Sequence, residues 1–217
     1  MQGGIMDINC QNFFYSDLAI MLAENIINSL QKSKKKSSGY LNWVYPCRIL
    51  NDDTQVEWSY DIIRDDSEFI RQKGFDIWAS AGANIFDEPS ISMTIILPKN
   101  SWLKKNRIDF ANLVGVAAHE IHHLAQNTDD SYYEVSVSEY LSKFKKPSNR
   151  IRYLLDPTEI GAFKVGFRAE SILSGRTEKS IMLEYLDNFS LSKRSAEIIA
   201  NAWLEADFGV FNHNLTR

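Results

Sequence analysis

Apolar residues recur at helical spacing at Leu18, Met21, Leu22, Ile26, Ile27 and Leu30, which predicts a helix over Asp17–Lys32 capped by the Ser16 hydroxyl. The run Lys32–Ser38 that follows is basic and Ser-rich and reads as a solvated linker. From Tyr40 to Leu97 the pattern shortens to runs rich in aromatic and β-branched residues. Trp43–Leu50, Gln55–Tyr60, Phe75–Ala79 and Ser90–Leu97 are predicted strands, punctuated by Asn51-Asp52-Asp53 and Pro89, with a short helix over Ser67–Lys73. Pro46 suits a sheet edge. Beyond Asn106 the helical period returns over Ile108–Asn127, Tyr133–Phe144, Pro157–Leu173, Lys179–Phe189 and Lys193–Ala206. A β-rich part followed by an α-rich part predicts an α+β fold, with a small twisted sheet packed on a mainly helical C-terminal half. The 217 residues suit a single domain in three parts: an N-terminal helix and basic linker over 1–38, a β-rich part over 40–100 and a helical part over 106–217.

Composition narrows the function classes. Hydrophobic residues make up 44% and charged residues 24%, a globular balance that argues against a largely disordered chain. The formal net charge of -4 argues against a partner held through its phosphate backbone. A nucleic acid would find basic charge locally at Lys143-Phe144-Lys145-Lys146 with Arg150 and Arg152. Cys10 and Cys47 form neither a zinc ribbon nor a disulfide framework and read as reduced thiols. The first residues lack a basic n-region and carry Asp7 and Asp17, so no signal peptide is expected. No apolar run approaches the roughly 18 residues of a membrane span, and a cytoplasmic location is the expectation.

Chemistry concentrates in one place. Three of the four histidines fall within His119-Glu120-Ile121-His122-His123, which contains H-E-x-x-H. On a helix, residues four apart share a face, so His119 and His123 reach one metal ion. Glu120 lies about 100° round the helix, near enough to touch a metal-bound water without being a ligand. Imidazole ligands, an open coordination position and a carboxylate base are what a hydrolytic zinc site needs. Phe110, Val114, Ala117, Ile121 and Leu124 form an apolar stripe on the other side. Gly115, one turn before His119, costs about 1 kcal/mol against Ala inside a helix, which a closely approaching neighbour would explain. His122 points away from the pair and reads as a surface residue or a support to the ligands.

A third ligand is required. Glu159 is the favoured candidate, in a predicted helix with Asp156 as N-cap and Pro157 as first residue. Its structural alternative is a capping box with Asp156. Gly161, Ala162 and Gly166 make one side of that helix small enough to pack on the Gly115 face. Asp129 is the second candidate, at the spacing of H-E-x-x-H-x-x-G-x-x-[HD], but Gln126 stands where the turn needs Gly. Glu134, Glu139 and His213 remain further options.

At these residues the chain resembles zincin-type HExxH metallopeptidases, and with a downstream Glu it resembles gluzincins. The likeness covers about 60 residues, from Ile91–Leu97 to Glu159, and only H-E-x-x-H is specific. The segment His119–Gln126 with Pro157-Thr158-Glu159-Ile160-Gly161-Ala162 is also similar to small HExxH proteins of phages and mobile elements. Two departures stand out: Glu159 follows His123 by 36 residues, a long gap, and Phe163 stands four residues on, where an Asp would be expected. The resemblance implies a zincin-like fold whose edge strand pairs with extended substrate; Ile91–Leu97 sits at that place in the order, with an ordinary core strand as the equal alternative. It implies Zn²⁺ held by His119, His123 and Glu159, a water activated by Glu120, and a protein or peptide substrate. A transition-state donor is sought among Tyr132, Tyr133, Tyr140 and Tyr153; Tyr153, near Glu159 in sequence, is favoured among them, against the plainer reading of a packing tyrosine. The alternative class is a zincin-like binding or inhibitory module without hydrolytic activity.

Overall fold

In the computed structural model, which describes residues 18–28, 38–43, 56–84, 87–99, 107–128 and 137–206, the N-terminal apolar stripe forms a helix over 18–28, α1, burying Leu18, Leu22, Ile26 and Ile27. Four strands follow: β1 (Ser38–Trp43), β2 (Val56–Arg64), β3 (Asp76–Asn84) and β4 (Asp87–Leu97), with α2 (Glu68–Lys73) between β2 and β3. The remaining elements are helices: α3 (Arg107–Thr128), α4 (Val137–Ser142), α5 (Asn149–Leu154), α6 (Pro157–Ser174), α7 (Glu178–Asp187) and α8 (Lys193–Glu205). The chain is α+β, with a small mixed sheet and mainly helical content, as the change of period predicts.

The sheet runs β1-β2-β4-β3. Its outer pairs are antiparallel and the central β2–β4 pair is parallel. Trp58, Tyr60 and Ile62 lie opposite Ile91, Met93 and Ile95, and all six are buried, so one face of the sheet forms core. That core also takes α1 and the Leu113, Val114, Ala117, Ile121 and Leu124 side of α3.

The sheet corrects one expectation. Ile91–Leu97 is not an edge: β4 is hydrogen-bonded on both sides, and the edge beside α3 is β3. Local composition misleads here because β3 ends in the small residues Ala79-Ser80-Ala81-Gly82-Ala83-Asn84, poor in β-formers, and gains its length by pairing with β4. A strand also forms where none is expected: Ser38–Trp43 pairs with Asp61–Val56 of β2, while residues 44–50 of the predicted strand Trp43–Leu50 lie outside the described residues. Helix α5 has no predicted counterpart. It is too short to show a period and is started by the Ser148 hydroxyl accepting from the Ile151 N–H. The readings at Lys32–Lys36, Pro46, Cys10 and Cys47 lie outside the described residues.

Helices α4 to α8 enclose a second core of Tyr140, Leu154, Leu155, Ile160, Phe163, Phe167, Met182, Leu186, Ile199 and Trp203. Helix α6 is the wall between the cores: Ile160, Phe163 and Phe167 face the helical one, while Val165 and Ala169 face the sheet side. It packs along α3 through glycines. A Cβ on Gly166 would lie 2.7 Å from the Gly115 carbonyl oxygen and 3.2 Å from the His119 Cβ, and one on Gly115 would lie 3.0 Å from the Gly166 oxygen. The cost of Gly in a helix is therefore explained by backbone-to-backbone approach, as expected at Gly115. Among the described residues no helix is long and apolar enough to cross a membrane.

Two outcomes follow from this contact. Gly166→Ala forces a Cβ against backbone, so stability should fall by about 1–3 kcal/mol although Ala is the better helix former; urea unfolding of the metal-free protein measures it, and a stabilised variant would refute the close approach. The second concerns Glu170, which is 4% exposed, accepts from Asn112 Nδ2 at 3.2 Å and lies 3.8 Å from Arg176 Nη1. Burial raises its pKa above the ordinary 4.5, against the opposing pull of Asn112 and Arg176. The folded state therefore holds this proton more tightly than the unfolded chain, and the carboxyl's contribution is full below about pH 4.5 and lost as pH rises. Glu170→Gln should gain on wild type as pH climbs through that window; stability curves that stay parallel across it would be the contrary result.

Candidate metal centre

The site is built where α3 and α6 cross. His119 and His123 stand one turn apart on α3. Facing them, the Asp156 carboxylate accepts from the Thr158 N–H and hydroxyl, Pro157 opens α6, and Glu159 falls in the first turn. Glu159 closes no capping box. The Asp156 N–H is already given to the Tyr153 carbonyl, and the Glu159 carboxylate turns toward the histidines. Its Oε2 atom lies 3.6 Å from His119 Nε2 and 3.6 Å from His123 Nε2. The two ring nitrogens are 3.1 Å apart.

Each ligand candidate has its own support. The His119 ring meets Phe163 at a centroid distance of 4.7 Å, and the Ala162 carbonyl of α6 accepts a hydrogen bond from the imidazole. Burial holds His119 well below its usual pKa, and the neighbouring His123 and His122 add to this. His123 bonds through Nδ1 to Gln126 Oε1 at 2.9 Å, and Gln126 Nε2 donates to the Thr158 carbonyl at 2.9 Å. Burial opposes a charge on His123, but the Glu159 carboxylate outweighs it and raises the pKa.

Glu120 is 6% exposed, and its Oε1 lies 4.0 Å from His119 Nε2. Burial, with the Glu159 charge adding, pushes its carboxyl up to about 7, although His123 and the Ala81 N–H of β3 pull the other way. Strand β3, which is paired on one side only among the described residues, therefore borders the site. Two phenols lie within its field. Tyr153 of α5 and Tyr185 of α7 are both raised, first by burial and then by the Glu159 charge.

The residues present fit a metal ion. Glu159 Oε2 is buried without a hydrogen-bond partner, beside two imidazole nitrogens. Three electron-rich atoms at such spacing repel unless a cation or a shared proton lies between them. Tetrahedral ligands at zinc bond lengths stand about 3.3–3.5 Å apart, close to the observed separations. The donor set itself, two nitrogens and a carboxylate, is common to several divalent metals.

His119, Glu120, His123 and Glu159 are thus brought together, and Tyr153 comes to their margin. His122 is buried at 4% exposure and kept neutral by burial, with a pKa near 3, so it is no surface residue. Glu139 points to solvent and pairs with Lys143 at 3.6 Å, while Tyr140 bonds to Glu205. Asp129, Tyr132, Tyr133, Glu134 and His213 lie outside the described residues. Gln126, Ala81 and Tyr185 escape a sequence reading. Gln126 alone carries a signal, its position three residues after His123 on the same helix face. No protein-family model, no curated protein sequence and no solved structure matches the chain.

Proposed function

We propose that the chain is a zinc-dependent hydrolase, and within that class a metallopeptidase with a zincin-like, gluzincin-like arrangement. His119, His123 and Glu159 hold the ion and Glu120 is the general base. The observation that carries this reading is the buried, partnerless Glu159 Oε2 aimed at both ring nitrogens. When bound, Zn²⁺ supplies Lewis acidity and a water whose pKa falls toward about 7.

The chain's own groups supply the rest. Glu120 is kept in place by the Ala81 N–H and titrates near neutrality, so its carboxylate can take a proton from water and return it to a leaving amine. Tyr153 is 46% exposed, and the ordinary phenol pKa of about 10 already keeps its proton in place at neutral pH, which makes it an O–H donor for a developing oxyanion. Strand β3 favours peptide over other acyl substrates. Among the described residues β3 is paired on one side only, and its other edge lies beside α3. An extended peptide adds to such an edge through main-chain hydrogen bonds.

Glu120→Gln keeps the size of the side chain but cannot accept a proton. Hydrolysis of an unfolded protein substrate by the zinc-loaded variant should fall by about 10²–10⁴-fold with zinc still bound. Equal turnover in variant and wild type would remove Glu120 as base, and no turnover in wild type would favour a binding module. Glu159→Ala should sharply weaken zinc binding, measured against a competing chelator, because only two imidazoles remain. A tight site in Glu159→Ala beside a lost site in Asp129→Ala would transfer the third-ligand role.

A further inference from the structure

We infer that Gln126 is a positioning residue that sets the tautomer of His123 and ties that ring to the helix turn bearing Glu159. The inference rests on the metal-site reading above, but its chemistry is already complete in the metal-free chain. The Thr158 carbonyl oxygen can only accept a hydrogen bond. The Gln126 amide nitrogen therefore faces Thr158, at 2.9 Å. The Gln126 carbonyl oxygen must then face His123 Nδ1, also at 2.9 Å. An amide oxygen can only accept, so Nδ1 carries the proton and donates. In the neutral ring Nε2 is left with its lone pair, directed at His119 Nε2 and Glu159 Oε2. Free histidine prefers the opposite tautomer, with the proton on Nε2, which would block a metal.

The second half of the bridge acts on Glu159. Thr158 is its immediate neighbour in the first turn of α6, so one side chain holds the backbone of one ligand candidate at a set distance from the ring of another. The two histidines are oriented differently: His119 by the Ala162 carbonyl and the Phe163 ring, His123 by a neutral side-chain amide. Removing an outer partner of a metal-binding His commonly weakens metal binding by about 10–100-fold. Gln126 also occupies the position where a chain returning Asp129 to the metal would need Gly, and the bridge accounts for a long polar side chain there.

The test is ring-¹⁵N NMR of the metal-free full chain above the titration of His123, with zinc affinity measured against a competing chelator. Wild type should have the Nδ1–H form at His123. Gln126→Leu matches the volume without polar atoms and should move His123 toward the Nε2–H form, with zinc bound about 10–100-fold more weakly. Gln126→Glu keeps an acceptor beside Nδ1 but loses the donor to Thr158, so it should restore the Nδ1–H form. A Gln126→Leu ring that stays Nδ1–H, or zinc affinity equal to wild type, would overturn the inference. Should Gln126→Leu not fold, an Nε2–H ring in Gln126→Glu would do the same. A wild type that binds no zinc but has Nδ1–H at His123 would refute the metal reading and leave the tautomer assignment standing.

Discussion

Helices α3 and α6 meet backbone against backbone, at Gly115 and Gly166. Everything at the candidate site depends on it. Ordinary helix pairs stand 8–10 Å apart, at about the reach of interlocking side chains. Without Cβ atoms at the crossing, the first turn of α6 comes close enough for the short Glu159 side chain to reach two imidazoles on α3. Wider spacing would leave the carboxylate short of them. The glycines lower the intrinsic stability of both helices, and the buried Leu, Ile and Phe residues around the crossing offset that cost.

The crossing also lies between two cores. Helix α3 belongs to the sheet side, and α6 contributes to both. A cation held by His119, His123 and Glu159 would therefore link an element of one core to an element of the other, and its binding energy would appear in the stability of both. The edge strand adds a third contributor. Ala81 approaches Glu120 from the sheet, so the residues of the candidate site come from three elements whose relative placement is settled by packing rather than by a shared loop.

What could be read from the sequence was whatever a single helix carries. The pair His119 and His123, the neighbouring Glu120, the Asp156-Pro157 start of α6 and the meaning of Gly115 are all local patterns with fixed geometry. Pairings between distant segments left no such trace. β-strand order depends on which strands meet, and the run Ile91–Leu97 looks the same at an edge as in the middle. β1 and the far end of β3 take their length from partners, and α5 is too short for a period to show. The position of His122 stays open in the sequence for a related reason. The helix wheel turns it away from His119 and His123 and leaves open whether that side is solvent or support, whereas α3 is buried on nearly every side.

Phe163 makes the same point about chemistry. It stands one turn beyond Glu159, where the gluzincin pattern that the sequence resembles would carry an acid. In place of a carboxylate, an aromatic ring packs on His119 and joins Phe167, Tyr185 and Trp203 in the helical core. An acid at this position would have to be buried among those rings, where desolvation disfavours its charge. The ring gives up a hydrogen bond and gains packing area, and the Ala162 carbonyl supplies the polar contact that His119 still needs. Orientation by packing is stiff because a close-packed core resists displacement. His119 is thus held by the helical core and His123 by a side-chain bridge at its surface, so the two rings answer to different parts of the fold.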